Sequence, residues 1–182
     1  MIDGGACVGK ITEQYQNTHI VFAFEPNSAN FKFLDNKFRH HNNIHPLKLA
    51  LGKTAGTIDL FIPRDPSGYP SVSSTIVPSN TMTSNIQGKE EVAVISLSQF
   101  CRDYGIHEID ILKLDIEGSE YDVLDDLFES GLINKIRAIY VEFHAKACIP
   151  SLLNKEAQLL IRLAQEYRGE LHIYNWDKGY YE

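Results

Sequence analysis

Residues 109–120 read Ile-Asp-Ile-Leu-Lys-Leu-Asp-Ile-Glu-Gly-Ser-Glu, and this stretch decides the fold class. The apolar run at its start predicts a strand, Gly118 predicts a turn, and the apolar spacing that follows Glu120 predicts a helix. Asp115 and Glu117 therefore stand where a strand ends, just before a helix begins. Because ligands bind at the carboxyl ends of the strands in open α/β sheets, we expect this stretch to border a binding site.

Strand and helix patterns alternate along the chain, which favours a mostly parallel sheet with helices on both faces. The predicted strands are 1–2, 19–24, 46–51, 57–62, 91–95, 109–114, 136–143 and 171–174. The predicted helices are 10–17, 28–40, 96–105, 120–129 and 154–167. We expect strands 57–62 and 91–95 to be antiparallel. The length of 182 residues favours a single domain over 1–182, a three-layer α/β sandwich.

Two segments depart from this regular pattern. The stretch 63–88 carries four prolines and many small polar residues, which predicts a long irregular loop. Loops of this kind often cover binding sites, so we expect a lid that is mobile without ligand, the alternative being a loop unrelated to binding. At the start, only Met1 and Ile2 precede Asp3, whereas a strand usually has about 5–6 residues. We therefore expect the first strand to be truncated, the alternative being a short strand that its neighbours tolerate.

The composition excludes several classes of function. The net charge is −7 and no cluster of basic residues exceeds a pair, which argues against nucleic-acid binding. The apolar stretches are too short to span a membrane, and no signal peptide is evident. Three cysteines without a Cys-x-x-Cys motif favour a reducing, cytoplasmic location. No metal-ligand spacing is present, and His40, His41 and His45 fit a solvated surface.

The turn after the first strand reads Asp3-Gly4-Gly5-Ala6-Cys7-Val8-Gly9. Its glycines permit a tight turn and a close approach of the backbone to a ligand. Gly4, Ala6 and Gly9 do not provide the Gly-x-Gly-x-x-Gly spacing of dinucleotide sites, so nicotinamide binding loses support. An acidic residue at Asp3 is instead typical of a site for the cationic part of a ligand. The alternative is a plain glycine-rich loop.

Two further carboxylates end predicted strands. Glu25 follows Gly9 by 16 positions, close to the spacing of the acidic residue that accepts ribose hydroxyls, although a solvated strand-end Glu is the simpler alternative. Asp115 ends a buried strand beside Lys113 and suits an ammonium or sulfonium group. Glu120 is explained well enough by the helix N-terminus it occupies. Together these residues indicate an enzyme with a nucleoside-bearing cofactor.

At these motifs the chain resembles the FkbM-type methyltransferases, a family within the class I S-adenosylmethionine-dependent methyltransferases. The resemblance covers residues 2 to about 145. It rests on Ile2-Asp3-Gly4-Gly5-Ala6-Cys7-Val8-Gly9, Val21-Phe22-Ala23-Phe24-Glu25-Pro26, Leu49-Ala50-Leu51-Gly52 and the stretch 109–120, which is the most specific. The family usually has Asn where this chain has Cys7, so the resemblance does not imply a polar side-chain contact from that position.

The resemblance implies a Rossmann-like sheet and a binding site for S-adenosylmethionine. The implied cofactor-binding residues are Asp3, Gly4, Gly5, Ala6, Gly9, Glu25, Pro26, Ala50, Leu51 and Asp115. In this arrangement Asp3, Gly5 and Gly9 hold the methionine part and Glu25 binds the ribose. Ala50 and Leu51 border the adenine, and Asp115 lies near the transferred methyl group.

The implied reaction is methylation of a hydroxyl on a small molecule or a glycan. The candidates for a general base are Asp115, Glu142 and His144. Glu142 and His144 lie at the end of strand 136–143, where strand alternation predicts that they share a face. Two other functions stay open: a Rossmann oxidoreductase with a nicotinamide cofactor, and a non-catalytic cofactor-binding or interaction module. The sequence indicates neither the acceptor nor the oligomeric state.

Overall fold

The computed structural model of the chain describes residues 1–64, 73–78 and 86–174. The strands are β1 (Ile2–Gly4), β2 (Val21–Phe24), β3 (Ile44–Leu47), β4 (Ala50–Leu51), β5 (Gly56–Pro63), β6 (Ile86–Ile95), β7 (Ile109–Leu114), β8 (Ile136–Glu142) and β9 (Glu170–Tyr174). The helices are α1 (Lys10–Tyr15), α2 (Ser28–Phe38), α3 (Leu97–Asp103), α4 (Glu120–Glu129), α5 (Ala145–Cys148) and α6 (Leu153–Glu166). None of the helices described there has the length and apolar character needed to cross a membrane.

The main sheet has six strands in the order β3-β2-β1-β7-β8-β9, and every neighbouring pair is parallel. Helices α1 and α2 pack on one face, where Leu34 and Phe38 belong to the buried cluster. Helices α3, α4 and α6 pack on the other face through residues such as Phe100, Leu124 and Leu163. The predicted α/β fold, a Rossmann-like parallel sheet between two helical layers, is confirmed.

Strand β1 has only three residues but lies in the middle of the sheet. Gly4 pairs with Phe24 of β2 on one side and with Leu114 of β7 on the other. From β1 the chain proceeds outward through β2 to β3, and the second half proceeds outward in the opposite direction from β7. The carboxyl ends of β1 and β7 therefore form the switch point at which open α/β sheets bind their ligands.

The prediction of one strand over 46–51 is wrong, because the chain bends between β3 and β4. The amide of Leu49 donates to the carbonyl of Leu47 across this bend. Ala50 and Leu51 then pair with β6, in a separate three-stranded sheet with the order β4-β6-β5. The predicted antiparallel pairing of the remaining two strands, β5 and β6, is confirmed.

The segment from β7 to α4 has the predicted bounds at both elements. The strand is buried at Ile109 and from Ile111 to Leu114, because helical layers cover both faces of the sheet there. Differences occur at the next strand: β8 ends at Glu142 instead of at residue 143, and the short helix α5 that follows was not predicted.

Candidate active site

The turn between β1 and α1 is enclosed by the two neighbouring strands. The amides of Gly5 and Ala6 both donate to the carbonyl of Phe24, at 3.1 and 2.9 Å. Gly5 has φ of 76°, and a Cβ atom there would collide with the carbonyl oxygen of Asp115. Glycine is therefore required at position 5 by the backbone conformation and by the close passage of β7.

A buried lysine lies directly beneath this turn. The Lys113 ammonium donates to the carbonyl oxygens of Gly4 and Gly5, at 3.0 and 2.8 Å. It lies 3.5 Å from Asp3 Oδ1 and 3.7 Å from Asp115 Oδ2. Burial alone would lower the pKa of Lys113, but the charges of Asp3 and Asp115 raise it above its ordinary value. Lys113 is therefore a cation that joins the ends of β1 and β7.

Asp3 is fully buried and is already engaged by the protein. Its Oδ2 accepts a hydrogen bond of 2.6 Å from the hydroxyl of Thr12 in α1, while Oδ1 faces Lys113. Asp3 thus lies under the turn rather than at an open surface. Its predicted contact with the methionine part of a cofactor stays a prediction. The structural role of Lys113 was missed, because no sequence spacing relates Lys113 to Asp3.

Glu25 binds the backbone of the same turn from the end of β2. Its carboxylate accepts from the amide of Cys7 at 2.8 Å and from the amide of Asn27 at 2.9 Å. Burial raises the pKa of Glu25 to about 7, although both of these hydrogen bonds lower it. Because Cys7 contributes a backbone amide, its contact with Glu25 does not depend on its side chain. Pro26, which lies between Glu25 and Asn27 in the chain, is half-buried.

Two residues of β4 flank the turn. Ala50 and Leu51 are buried, and the Leu51 side chain lies 3.2 Å from the point where a Cβ atom on Gly4 would be. On the other side of the turn, Gly9 has φ of 81° and packs against Phe38 of α2. The predicted cofactor residues therefore gather around one turn, at the carboxyl ends of the central strands.

A cluster of acidic residues surrounds one histidine at the end of β7. Nδ1 of His144 lies 2.7 Å from Oε1 of Glu120, and Nε2 lies 3.5 Å from Glu117 and 3.7 Å from Asp115. Glu120 is fully buried and also accepts from the amides of Ile116 and Gly118. Sequence reasoning assigned Glu120 only to a helix N-terminus, because nothing local links it to a histidine 24 positions away.

The protonation states of the residues in this cluster follow from their burial and from the short distances between their charged groups. Burial alone would lower the pKa of His144, but the hydrogen bond and charge of Glu120, together with Glu117 and Asp115, raise it to about 10. Burial raises the pKa of Glu117 to about 8; the charge of His144 lowers it, whereas Asp115, Glu120 and Glu142 raise it. Near neutral pH the cluster therefore holds an imidazolium at His144, and the Glu117 carboxyl group is mostly protonated.

Strand alternation does not place Glu142 and His144 together. Strand β8 ends at Glu142, and His144 lies in the turn before α5. Glu142 is buried, and its charge reaches the cluster through its effect on Glu117. Asp115 is the most open of the three predicted general-base candidates, with 27% of its side chain exposed.

Part of the predicted lid lies at this edge of the sheet. The hydroxyl of Thr75 donates to the carbonyl of Glu117 at 2.7 Å, and the Asn27 amide group donates to the hydroxyl of Ser74 at 3.1 Å. Segment 73–78 therefore connects the end of β2 with the acidic cluster. The remainder of the predicted loop, residues 65–72 and 79–85, lies outside the described residues.

The parallel sheet, the glycine turn at its switch point and the carboxylates that end β2 and β7 define a Rossmann-like fold of the methyltransferase class. Residues 3–168 match the methyltransferase FkbM domain, and the chain belongs to that family. It is 27% identical over 126 residues to the hexuronic acid methyltransferase AglP of Haloferax volcanii. That match covers 69% of this chain and 47% of AglP, so the chain spans about half the length of the relative. No solved structure matches the chain with significant similarity.

Lys113→Met is expected to destabilise the protein strongly, because it leaves the buried carboxylate of Asp3 without its cation. Removing one partner of a buried ion pair costs about 3–5 kcal/mol. Urea denaturation of Lys113→Met and of the wild-type protein gives the difference in their free energies of unfolding. Lys32→Met, at an exposed position on α2, is the matched control. Equal stabilities of the two variants would show that the ammonium does not hold the turn.

Proposed function

We propose that this chain is an S-adenosylmethionine-dependent methyltransferase that methylates a hydroxyl oxygen of a glycan or a small molecule. The observation that carries the proposal is the acidic edge formed by Asp115 and Glu117 beside the turn that Glu25 anchors. The FkbM family and the name of the relative, a hexuronic acid methyltransferase, support it. A hexuronic acid is the acceptor that the name of the relative suggests.

The residues around the turn fit the parts of this cofactor. The ionised Glu25 carboxylate has a lone pair left for a ribose hydroxyl, since its two oxygens accept two backbone hydrogen bonds and one from the Asn30 side chain. Ala50 and Leu51 supply apolar surface for a base, and the carboxylate of Asp115 suits a cation. When bound, S-adenosylmethionine supplies a methyl group that is already activated on a sulfonium sulfur.

Electrostatics favour a cationic ligand at this edge. The carboxyl groups of Asp115, Glu117 and Glu120 lie around the single imidazolium of His144, and Glu117, with its pKa raised to about 8, is mostly protonated near neutral pH. Lys113 is shared between Asp115 and the buried Asp3. Negative charge is therefore in excess, and a cation at the cleft lowers the free energy of the cluster because opposite charges attract strongly where water is scarce.

The chain's own residues orient the reactants and receive the proton of the acceptor hydroxyl. Orientation of two bound reactants supplies roughly 7–11 kcal/mol of barrier lowering. Asp115 is the most open carboxylate of the cluster, so we assign it the proton of the acceptor. His144 carries its own proton near neutral pH and instead holds Asp115 and Glu117 in place.

Segment 73–78 is the part of the lid that we assign to the acceptor side. Thr75 is buried against Glu117, and Ser74 is bonded to Asn27, so the segment crosses the cleft edge between β2 and β7. Its small hydroxyl side chains suit a polar acceptor such as a sugar. Ile76 packs against the apolar cluster of the three-stranded sheet, which anchors the segment from behind.

Calorimetry is expected to show binding of S-adenosylhomocysteine and no comparable binding of NAD. Because the pKa of Glu25 is raised to about 7, the ionised fraction of Glu25 increases as the pH rises from 6 to 8. The ionised carboxylate accepts stronger hydrogen bonds, so the affinity for S-adenosylhomocysteine should rise over the same range. Glu25→Gln should bind more weakly, by about 1.5–3 kcal/mol for each lost hydrogen bond to a charged group, and should show a flatter pH dependence.

Glu108→Gln, at an exposed position, is the control for Glu25→Gln. Gln is preferred to Ala at position 25 because it keeps one acceptor oxygen, whereas Ala would leave the amides of both Cys7 and Asn27 without an acceptor. Tight NAD binding without a response to S-adenosylhomocysteine would overturn the methyltransferase proposal. An unchanged dissociation constant for Glu25→Gln would overturn the role of Glu25 alone.

Methyl transfer from labelled donor to hexuronic acid glycosides should fall about 10²-fold or more in Asp115→Asn, the usual contribution of a general base. The measurement is single-turnover transfer at saturating donor. Asp110→Asn, on the exposed side of the same strand, should transfer at the wild-type rate. Equal rates for the two variants would show that Asp115 does not take the proton. Cofactor binding without transfer to any hydroxylated acceptor would favour the non-catalytic module.

A further inference from the structure

The side chains of Asp115, Glu117 and His144 converge on one point. Each offers a ligand atom, and these atoms lie within 4.8 Å of one another. The imidazole Nε2 is 3.5 Å from a Glu117 oxygen and 3.7 Å from an Asp115 oxygen. Two ligands bound to a common ion at ~2.1 Å lie about 3.0–3.5 Å apart. The two distances from Nε2 are therefore at or slightly above the spacing of an occupied metal site and are wider than those of most hydrogen-bonded pairs.

The histidine is held in the orientation that metal ligands require. His144 is more than nine-tenths buried, and its Nδ1 is bonded to Glu120. With Nδ1–H donated to Glu120, Nε2 is the nitrogen that faces the two carboxylates, at 3.5 Å from Glu117 and 3.7 Å from Asp115. A carboxylate that accepts from the far nitrogen of a ligating histidine is the usual outer support of a metal site.

The supporting carboxylate is itself fixed. Glu120 is fully buried, and its two oxygens accept from the amides of Ile116 and Gly118, in the turn that carries Glu117. One side chain therefore sets both the rotation of His144 and the path of the loop between Asp115 and Glu120. This arrangement positions all three ligand atoms in advance, which lowers the cost of binding an ion.

We propose that Asp115, Glu117 and His144 bind a divalent first-row metal ion, with Glu120 as a positioning residue. Two carboxylate ligands and one imidazole suit an ion such as Mn²⁺ better than Mg²⁺ or Ca²⁺, which prefer oxygen ligands alone. The ion takes the place of the proton on Nε2 and of the proton on the Glu117 carboxyl group, and both protons leave to solvent. Beyond binding, its role rests on the proposed function: it polarises the acceptor hydroxyl beside Asp115.

No short spacing in the sequence predicts this metal site. Asp115 and Glu117 come from the loop after β7, whereas His144 follows β8, 27 positions after Glu117. Sequence motifs for metal sites rely on short spacings between ligands, and no such spacing links these residues. Only the parallel pairing of β7 with β8 brings the two loops to the same edge of the sheet.

Titration of cofactor-free protein with Mn²⁺ by calorimetry tests the proposal without any methyl transfer. Wild-type protein and the exposed control Glu108→Gln should bind Mn²⁺ equally, at a stoichiometry of one. Glu117→Gln should bind at least tenfold more weakly. Glu120→Gln should lose 10–100-fold, the usual effect of removing an outer carboxylate. Circular dichroism shows whether each variant is folded.

A second measurement needs no variant. Pulsed electron paramagnetic resonance of Mn²⁺ bound to the wild-type protein should show coupling to ¹⁴N from the His144 imidazole.

The proposal would be overturned by any of three results. These are absence of Mn²⁺ binding, Mn²⁺ binding without nitrogen coupling, and equal Mn²⁺ binding by folded Glu117→Gln and Glu108→Gln. The proposal would also be overturned if the cluster variants bound S-adenosylmethionine more weakly, bound S-adenosylhomocysteine as before and showed no response to Mn²⁺. That result would indicate that the cluster stabilises the sulfonium of the cofactor. Failure of S-adenosylhomocysteine to bind would count against the proposed function alone.

Discussion

The buried ammonium of Lys113 is the interaction on which the rest of the site depends. It joins the last residues of β1 to the last residues of β7 by donating to two carbonyl oxygens of the glycine turn and pairing with two carboxylates. A three-residue strand offers few ladder hydrogen bonds of its own. The charge network therefore adds to the strand pairing of β1 and links the ends of β1 and β7 at the switch point at which the cleft opens.

Local patterns were sufficient for the elements that carry the site. The bounds of β7 and α4 follow from an apolar run, a glycine turn and a helical spacing, all contained within about twenty residues. The pattern failed at 46–51, because β3 and β4 are both apolar and the bend between them involves no glycine or proline. Which sheet an apolar strand joins is decided by its partners, and sequence periodicity carries no information about them.

The chemistry of the site was predictable only residue by residue. Sequence position alone placed Glu25 and Asp115 at strand ends, and the structure has both at the carboxyl ends of central strands. The coupling of Glu120 to His144 and of Lys113 to Asp3 was not predictable, because each contact joins segments that meet only after the sheet has formed. These couplings, rather than the individual residues, set the charge balance at the cleft.

Amide hydrogen exchange of the wild-type protein with and without S-adenosylhomocysteine tests the location of the cofactor site most directly. Exchange should slow in 4–9, 25–27 and 115–118, the segments that end the central strands. It should stay unchanged in α6 and β9, at the far side of the sheet. Slower exchange confined to other segments, or no change in any of these three at saturating ligand, would contradict a cofactor site at the β1–β7 switch point.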